Sequence, residues 1–251
     1  MTEEDVVALA RILRELTPSQ RDWVREVMQQ FSLPHQFIRR KDSDWITEDV
    51  LQHLGDALRI HHALSCQPLS KDRFEFAFER ALNLSRIRAE LVASRTNRGH
   101  DMTIAGVPVS LKSEAAANIK ENTVHVSKWM ELGKGEWDLL KLRDMFLEHL
   151  NSYARIFTLR CLSRGPKDYF YELVEIPKAL MLEAKNCRFE LMKNSKQDPK
   201  PGYGYVYDAK GNLRFALYFD GGTERKLQIK QIKKNLCITH ASWQFESASL
   251  E

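Results

Sequence analysis

Residues 101–114, DMTIAGVPVSLKSE, leave the chain little choice of local structure. Strand-forming residues lie on both sides of Ala105-Gly106, and a glycine there admits the positive φ that a two-residue hairpin loop needs. The pattern predicts an outgoing strand over Met102–Ile104, a turn at Ala105-Gly106 and a return strand over residues 107–112. Successive strand side chains point to opposite faces. Ser110, Lys112 and Glu114 therefore share one face, while Val109 and Leu111 pack behind it. Asp101 stands at the mouth of the hairpin and forms its chemical pair with Lys112.

A carboxylate, a lysine and a second carboxylate on one hairpin are what metal-dependent phosphodiester hydrolysis requires. Hard oxygen ligands hold Mg²⁺, the ion polarises the phosphate, and a lysine orients or activates the attacking water. The usual pattern is an Asp followed by (Asp/Glu)-x-Lys. Here Ser110 stands two positions before Lys112, and Glu114 is the nearest acid on that face. Spacing alone does not separate this arrangement from surface charges that face each other across a hairpin.

The chain is long enough, at 251 residues with 43% hydrophobic content, to bury a sizeable core as one large domain or a domain with a small helical lobe. No run of about 18 apolar residues exists, so no membrane span is expected. Glu3, Glu4 and Asp5 stand where a signal peptide would be basic and then apolar, which points to the cytoplasm. Cys66, Cys161, Cys187 and Cys237 lack the close pairing of a zinc site and are expected to be reduced. Charge is uneven: residues 1–60 hold eight Lys/Arg against eleven Asp/Glu, whereas residues 195–236 hold nine against four. A basic C-terminal third is the footprint of a surface that meets a phosphate backbone.

The first 65 residues read as helical. Thr17-Pro18-Ser19-Gln20 combines an N-cap, a proline at the first helical position and a residue placed to close a capping box. Asp44 or Thr47 opens a second helix through Val50, Leu51, Leu54 and Leu58. Ser70 caps a third, predicted to run to about Ala93 with Phe74, Phe78, Ala81 and Leu82 inward and Glu75 and Glu79 one turn apart. After the hairpin, residues 122–126 read as a strand expected beside the lysine strand, which brings His125 near the cleft. Residues 136–153 are expected to form an apolar helix. Strands follow over 155–162 and 169–176, and Pro177 opens a short helix. Alternating strands and helices indicate an α/β or α+β core.

Asp168 with Glu183-Ala184-Lys185 spells the nuclease pattern more literally, but Pro177, Leu180, Met181 and Ala184 put that triplet on a helix, where residues two apart diverge. Further on, Asp220-Gly221-Gly222 turns one strand into a return strand over 226–232. Lys226, Gln228, Lys230 and Ile232 are expected on one face of it, and Leu227 and Ile229 on the other. Arg225 and Lys226, with Asp220 or Glu224 nearby, suit the edges of G·C pairs, and Gln228 is more ambiguous.

The segments SRTNRGHDMTI, VSLKSEAAANI, HVSKWMELGKGEW, RIFTLR, KPGYGYV and YFDGGTERKLQIK resemble the SmaI-type restriction endonucleases, a branch of the PD-(D/E)xK superfamily. The likeness runs from about Glu75 to His240. It implies an α/β (α+β) fold with a restriction-endonuclease-like mixed central sheet flanked by helices and a helical N-terminal part. Residues 1–65 would be a packing region and possible dimer interface, and residues 66–251 the endonuclease core with its C-terminal DNA-reading hairpin. The activity implied is that of a type II enzyme that hydrolyses duplex DNA at the palindrome CCCGGG, with a central blunt cut leaving 5′-phosphates. A homodimer, Mg²⁺ and a companion DNA methyltransferase that forms no stable complex with it are implied as well. By the same resemblance Asp101 is a metal ligand, Lys112 positions water, and Glu114 or Glu75, the latter from the helix before the hairpin, completes the metal shell. DNA contacts are expected from Arg95, His125, Ser127, Lys128, Arg225, Lys226 and Gln228. A nicking nuclease of the same superfamily and a DNA-binding protein without catalysis are the alternatives.

Overall fold

The computed structural model describes residues 2–92, 99–116, 119–163, 165 and 167–248. Two N-terminal helices, α1 (Glu3–Glu15) and α2 (Pro18–Ser32), each begin in a full capping box, at Thr2/Asp5 and Thr17/Gln20. They lead into strand β1 (His35–Arg39), inside the region expected to be wholly helical. Helix α3 (Glu48–Leu64) is capped by Thr47, and α4 (Lys71–Leu84) by Ser70. The remaining elements are β2 (Ala89–Leu91), β3 (Met102–Ile104), β4 (Val107–Glu114), β5 (Thr123–Glu131), α5 (Leu139–His149), β6 (Arg155–Ser163), β7 (Asp168–Glu175), α6 (Lys178–Leu182), β8 (Arg188–Leu191), β9 (Gly202–Tyr207), β10 (Leu213–Asp220), β11 (Lys226–Lys233) and β12 (Ile238–Glu246).

The strands form a seven-stranded sheet in the order β1-β12-β7-β6-β4-β3-β2 and a five-stranded sheet in the order β5-β11-β10-β9-β8. Of the pairs in the larger sheet, β4 with β6 runs parallel and the others antiparallel. One of its faces packs on α3 and α4 through Val109, Leu111, Phe157, Tyr171, Leu173 and Trp243. The opposite face contributes Ile156 and Val174 to a second core, shared with α5 and with Phe215, Leu217 and Ile229 of the smaller sheet. The α/β (α+β) class expected from the sequence is the class observed.

Four further expectations change. Helix α4 ends at Leu84, well short of Ala93. Arg86 adopts φ 63° and the Asn83 side chain bonds both the N–H and the C=O of Ala89, so the chain reverses into β2. Helix α5 starts only at Leu139, where the Asp138 carboxylate takes the first N–H groups, and ends at His149. Strand β5 pairs with β11 in the smaller sheet, not with the lysine strand, whose neighbours are β3 and β6. Ile232 is buried with Leu227 and Ile229. A bulge at Gln231, φ 58°, shifts the alternation by one residue. The four cysteines are free thiols.

Candidate active site

The hairpin forms where the sequence predicts it, with Met102 opposite Val109 and Ile104 opposite Val107, and Ala105 and Gly106 at φ 47° and 82°. Asp101 extends its ladder. The Asp101 N–H donates to the Val109 carbonyl and its own carbonyl accepts from Val92 N–H, so the residue is held from both sides. Its carboxylate then folds over β4. Oδ2 accepts from Leu111 N–H at 2.6 Å and from the Ser110 hydroxyl at 3.1 Å. Ser110, which replaces the expected acid, thus serves as a donor that orients Asp101.

Lys112 lies two residues further along β4, buried, with Nζ 4.0 Å from Asp101 Oδ2 and 5.8 Å from the Trp129 ring centre. Burial lowers its pKa to about 8 against the attraction of Asp101. Burial alone would raise the Asp101 carboxyl, but Lys112 and Lys71, aided by the Leu111 N–H, hold it below its ordinary value.

A second carboxylate reaches this cluster from α4. Lys71 Nζ lies 2.6 Å from Glu75 Oε1 and 2.8 Å from Asp101 Oδ1, so one ammonium bridges the helix and the hairpin. Burial pushes Glu75 up, and Lys71 offsets this only in part. Two carboxylates converging on one cation are a donor set that suits Mg²⁺, which commonly takes one or two protein carboxylates and fills its remaining positions with water and substrate phosphate. Among the described residues no group of three or more His, Cys, Asp or Glu is placed to hold a metal.

Glu114 faces elsewhere. It accepts from Arg160 Nε at 2.6 Å and from His125 N–H at 3.1 Å. Arg160 is fully buried and also donates to Glu172 and to the carbonyls of Lys120 and Thr123. Glu114, Arg160 and Glu172 are cross-strand neighbours on β4, β6 and β7, and Lys234 closes the row on Glu172. Glu114 therefore anchors the connection between β4 and β5. The structure brings Asp101, Lys112 and Glu75 together and leaves Glu114 in this separate network. The alternative pair is apart as well: Asp168 opens β7, whereas Glu183 and Lys185 follow its far end, roughly 25 Å along the strand at its usual rise.

The residues expected at DNA gather on the smaller sheet. Glu224 joins Lys128 at 2.5 Å and Lys226 at 3.0 Å, which links the β10–β11 turn to β5. Arg225 lies over Trp137 and donates to the Gly135 carbonyl. Gln228 donates to Asp220 at 3.2 Å. Ser127 is exposed. His125 is half-buried, its pKa lowered by burial and then by Lys230. Arg95 falls outside the described residues. Sequence reasoning missed Lys71, Arg160 and the tyrosines Tyr203 and Tyr218 that flank Lys230. The signal for Lys71 was available, since it stands one helical turn before Glu75 and next to the Ser70 cap.

A family model described as SmaI, type II site-specific deoxyribonuclease, matches residues 9–245 of this chain. The type II restriction enzyme SmaI of Serratia marcescens is 50% identical over 231 residues, which cover 92% of this chain and 93% of that protein. No solved structure matches.

Proposed function

Because the chain belongs to the SmaI family of type II site-specific deoxyribonucleases, we propose that it cuts duplex DNA at CCCGGG, at the centre, leaving blunt ends with 5′-phosphates. The observation that carries the active site is the convergence of Asp101, Glu75 and Lys112 at the mouth of one hairpin. Asp101 and Glu75 would hold Mg²⁺, which when bound supplies Lewis-acid stabilisation of the charge that builds on the scissile phosphate. Ser110 and the Leu111 N–H fix the Asp101 carboxylate in place. Lys112, with a proton held weakly by burial, orients the attacking water and is suited to move a proton at Nζ near neutral pH. Glu114 is replaced in this reading by Glu75 as the second carboxylate.

The smaller sheet and its β10–β11 turn present Arg225, Lys226, Gln228 and Lys128 to the duplex, most of them to phosphates, since phosphate and sugar take half or more of protein–DNA hydrogen bonds. A palindromic site calls for a two-fold symmetric reader. Helix α1 buries none of its residues, and Val6, Val7, Leu9 and Ile12 with Trp23 and Met28 of α2 are exposed. This apolar surface is assigned to a second copy of the chain. A companion methyltransferase would protect the host's own sites. No helix among the described residues is long and apolar enough to cross a membrane.

The test is cleavage by Asp101→Ala and Lys112→Ala. Each should lose roughly a thousandfold or more in rate, the scale of removing one electrostatic or proton-transfer group from a preorganised site, while keeping the circular dichroism of the parent. Full activity in either would move the active site elsewhere.

A further inference from the structure

Lys71 occupies the space between the two carboxylates that the proposed activity assigns to a metal. Its contacts, 2.6 Å to Glu75 and 2.8 Å to Asp101, put an ammonium on the same oxygen atoms that a metal would use. A Mg²⁺ ion bound to both would sit about 2.0–2.1 Å from each, against a positive charge already in place. Ordinary helix stabilisation does not account for the pair: lysine four residues before glutamate is the weaker order, and the ammonium also reaches a residue on another element. The side chain is 39% exposed on a flexible four-carbon stem, so the ammonium has solvent to move into.

We propose that Lys71 is the resident counter-cation of the metal seat, holding Asp101 and Glu75 together until a divalent ion displaces it. This rests on the reading of Asp101 and Glu75 as the metal-holding pair. Lys71 is then a positioning residue that sets the threshold for metal entry. It keeps the two carboxylates from repelling one another in the free enzyme, at the cost of weaker metal binding before DNA arrives.

The experiment titrates Mn²⁺ into the DNA-free protein and reads free Mn²⁺ by electron paramagnetic resonance, for the parent, Lys71→Met, Lys71→Gln and Asp101→Asn. Both Lys71 variants should bind Mn²⁺ about tenfold more tightly or better, the scale of removing one charge from a partly buried cluster. Asp101→Asn should lose binding. A merely structural role for Lys71 would weaken binding, not strengthen it. Unchanged or weaker binding in both Lys71 variants, with loss in Asp101→Asn, would overturn the role of Lys71 and leave the metal seat standing. Binding that Asp101→Asn does not alter would put the metal elsewhere and overturn the active-site reading, with this proposal. Thermal melts add a check on folding: the Lys71 variants should melt lower than the parent in EDTA and regain the difference with Mn²⁺. Failure to regain it would also contradict the exchange.

Discussion

Glu75 and Glu114 carry the same carboxylate, and their partners give them different work. Glu75 meets a lysine that can leave, whereas Glu114 meets Arg160, which is fully buried and held by four other acceptors. Glu114→Gln should therefore act on stability: breaking one side of a buried ion pair costs about 3–5 kcal/mol, read as a lower urea midpoint. Glu75→Gln should leave that midpoint nearly unchanged and lower the cleavage rate. The reverse pattern would return the second carboxylate to Glu114. His62 contributes to acid sensitivity. It is buried and neutral between the Ser65 carbonyl and the Tyr171 hydroxyl, and burial lowers its pKa to about 3. Between 6.5 and about 3 the unfolded chain binds a proton that the folded chain excludes, so stability falls as pH drops through that window. Glu175 works in the same direction. Burial would raise it, but His240 and Arg155 hold it down to about 2, so its stabilisation, complete above 4.5, is lost as pH falls towards about 2. His62→Phe should flatten the decline of the urea midpoint between pH 7 and pH 5, and an unchanged slope would contradict the assignment. The nearness of Asp101 to Lys112 is legible in the sequence because one tight turn sets it. The approach of Glu75 and the capture of Glu114 depend on contacts between distant elements, which spacing along the chain does not encode.

At the level of elements, caps and turns are the legible part. Thr17, Thr47 and Ser70 each satisfy an N–H three residues on, a relation contained in four consecutive residues. Long-range pairing is the opposite case. Strand β1 finds β12 from the other end of the chain, and β5 finds β11 although β4 is its neighbour in sequence. The bulge at Gln231 changes which face Ile232 takes, and no side-chain pattern announces a residue at positive φ that is neither Gly nor Asn. The packing of α3 on β1 and β12 relies on one small residue. A Cβ on Gly55 would lie 2.3 Å from the Phe37 ring and 2.7 Å from the Trp243 ring. Gly55→Ala should destabilise the protein by about 1–3 kcal/mol, as overpacking does, with earliest loss of hydrogen-exchange protection in β1. A gain in melting temperature, the usual result of Gly→Ala within a helix, would show that the rings move aside freely.

Across the whole molecule, the hairpin that carries Asp101 and Lys112 belongs to the larger sheet, and the β10–β11 turn that carries Arg225 belongs to the smaller one. Between them lie a shared apolar core and the row Glu114–Arg160–Glu172–Lys234. In the proposed function, cleavage and recognition would thus rest on one continuous scaffold. A palindrome cut on both strands needs two such scaffolds. Val7→Glu with Ile12→Glu, both exposed on α1, should shift the protein from dimer to monomer in analytical ultracentrifugation and turn double-strand cutting into slow nicking. A dimer of unchanged strength would place the interface elsewhere. A metal-dependent cut at one sequence is read by one assay: plasmids with and without CCCGGG, incubated with the protein in Mg²⁺ or in EDTA, with every end sequenced. Blunt ends are expected at the centre of that site, only in Mg²⁺ and only in the plasmid that carries it. Ends at another sequence would contradict the assigned specificity, and uncut DNA in Mg²⁺ would contradict the catalytic site itself.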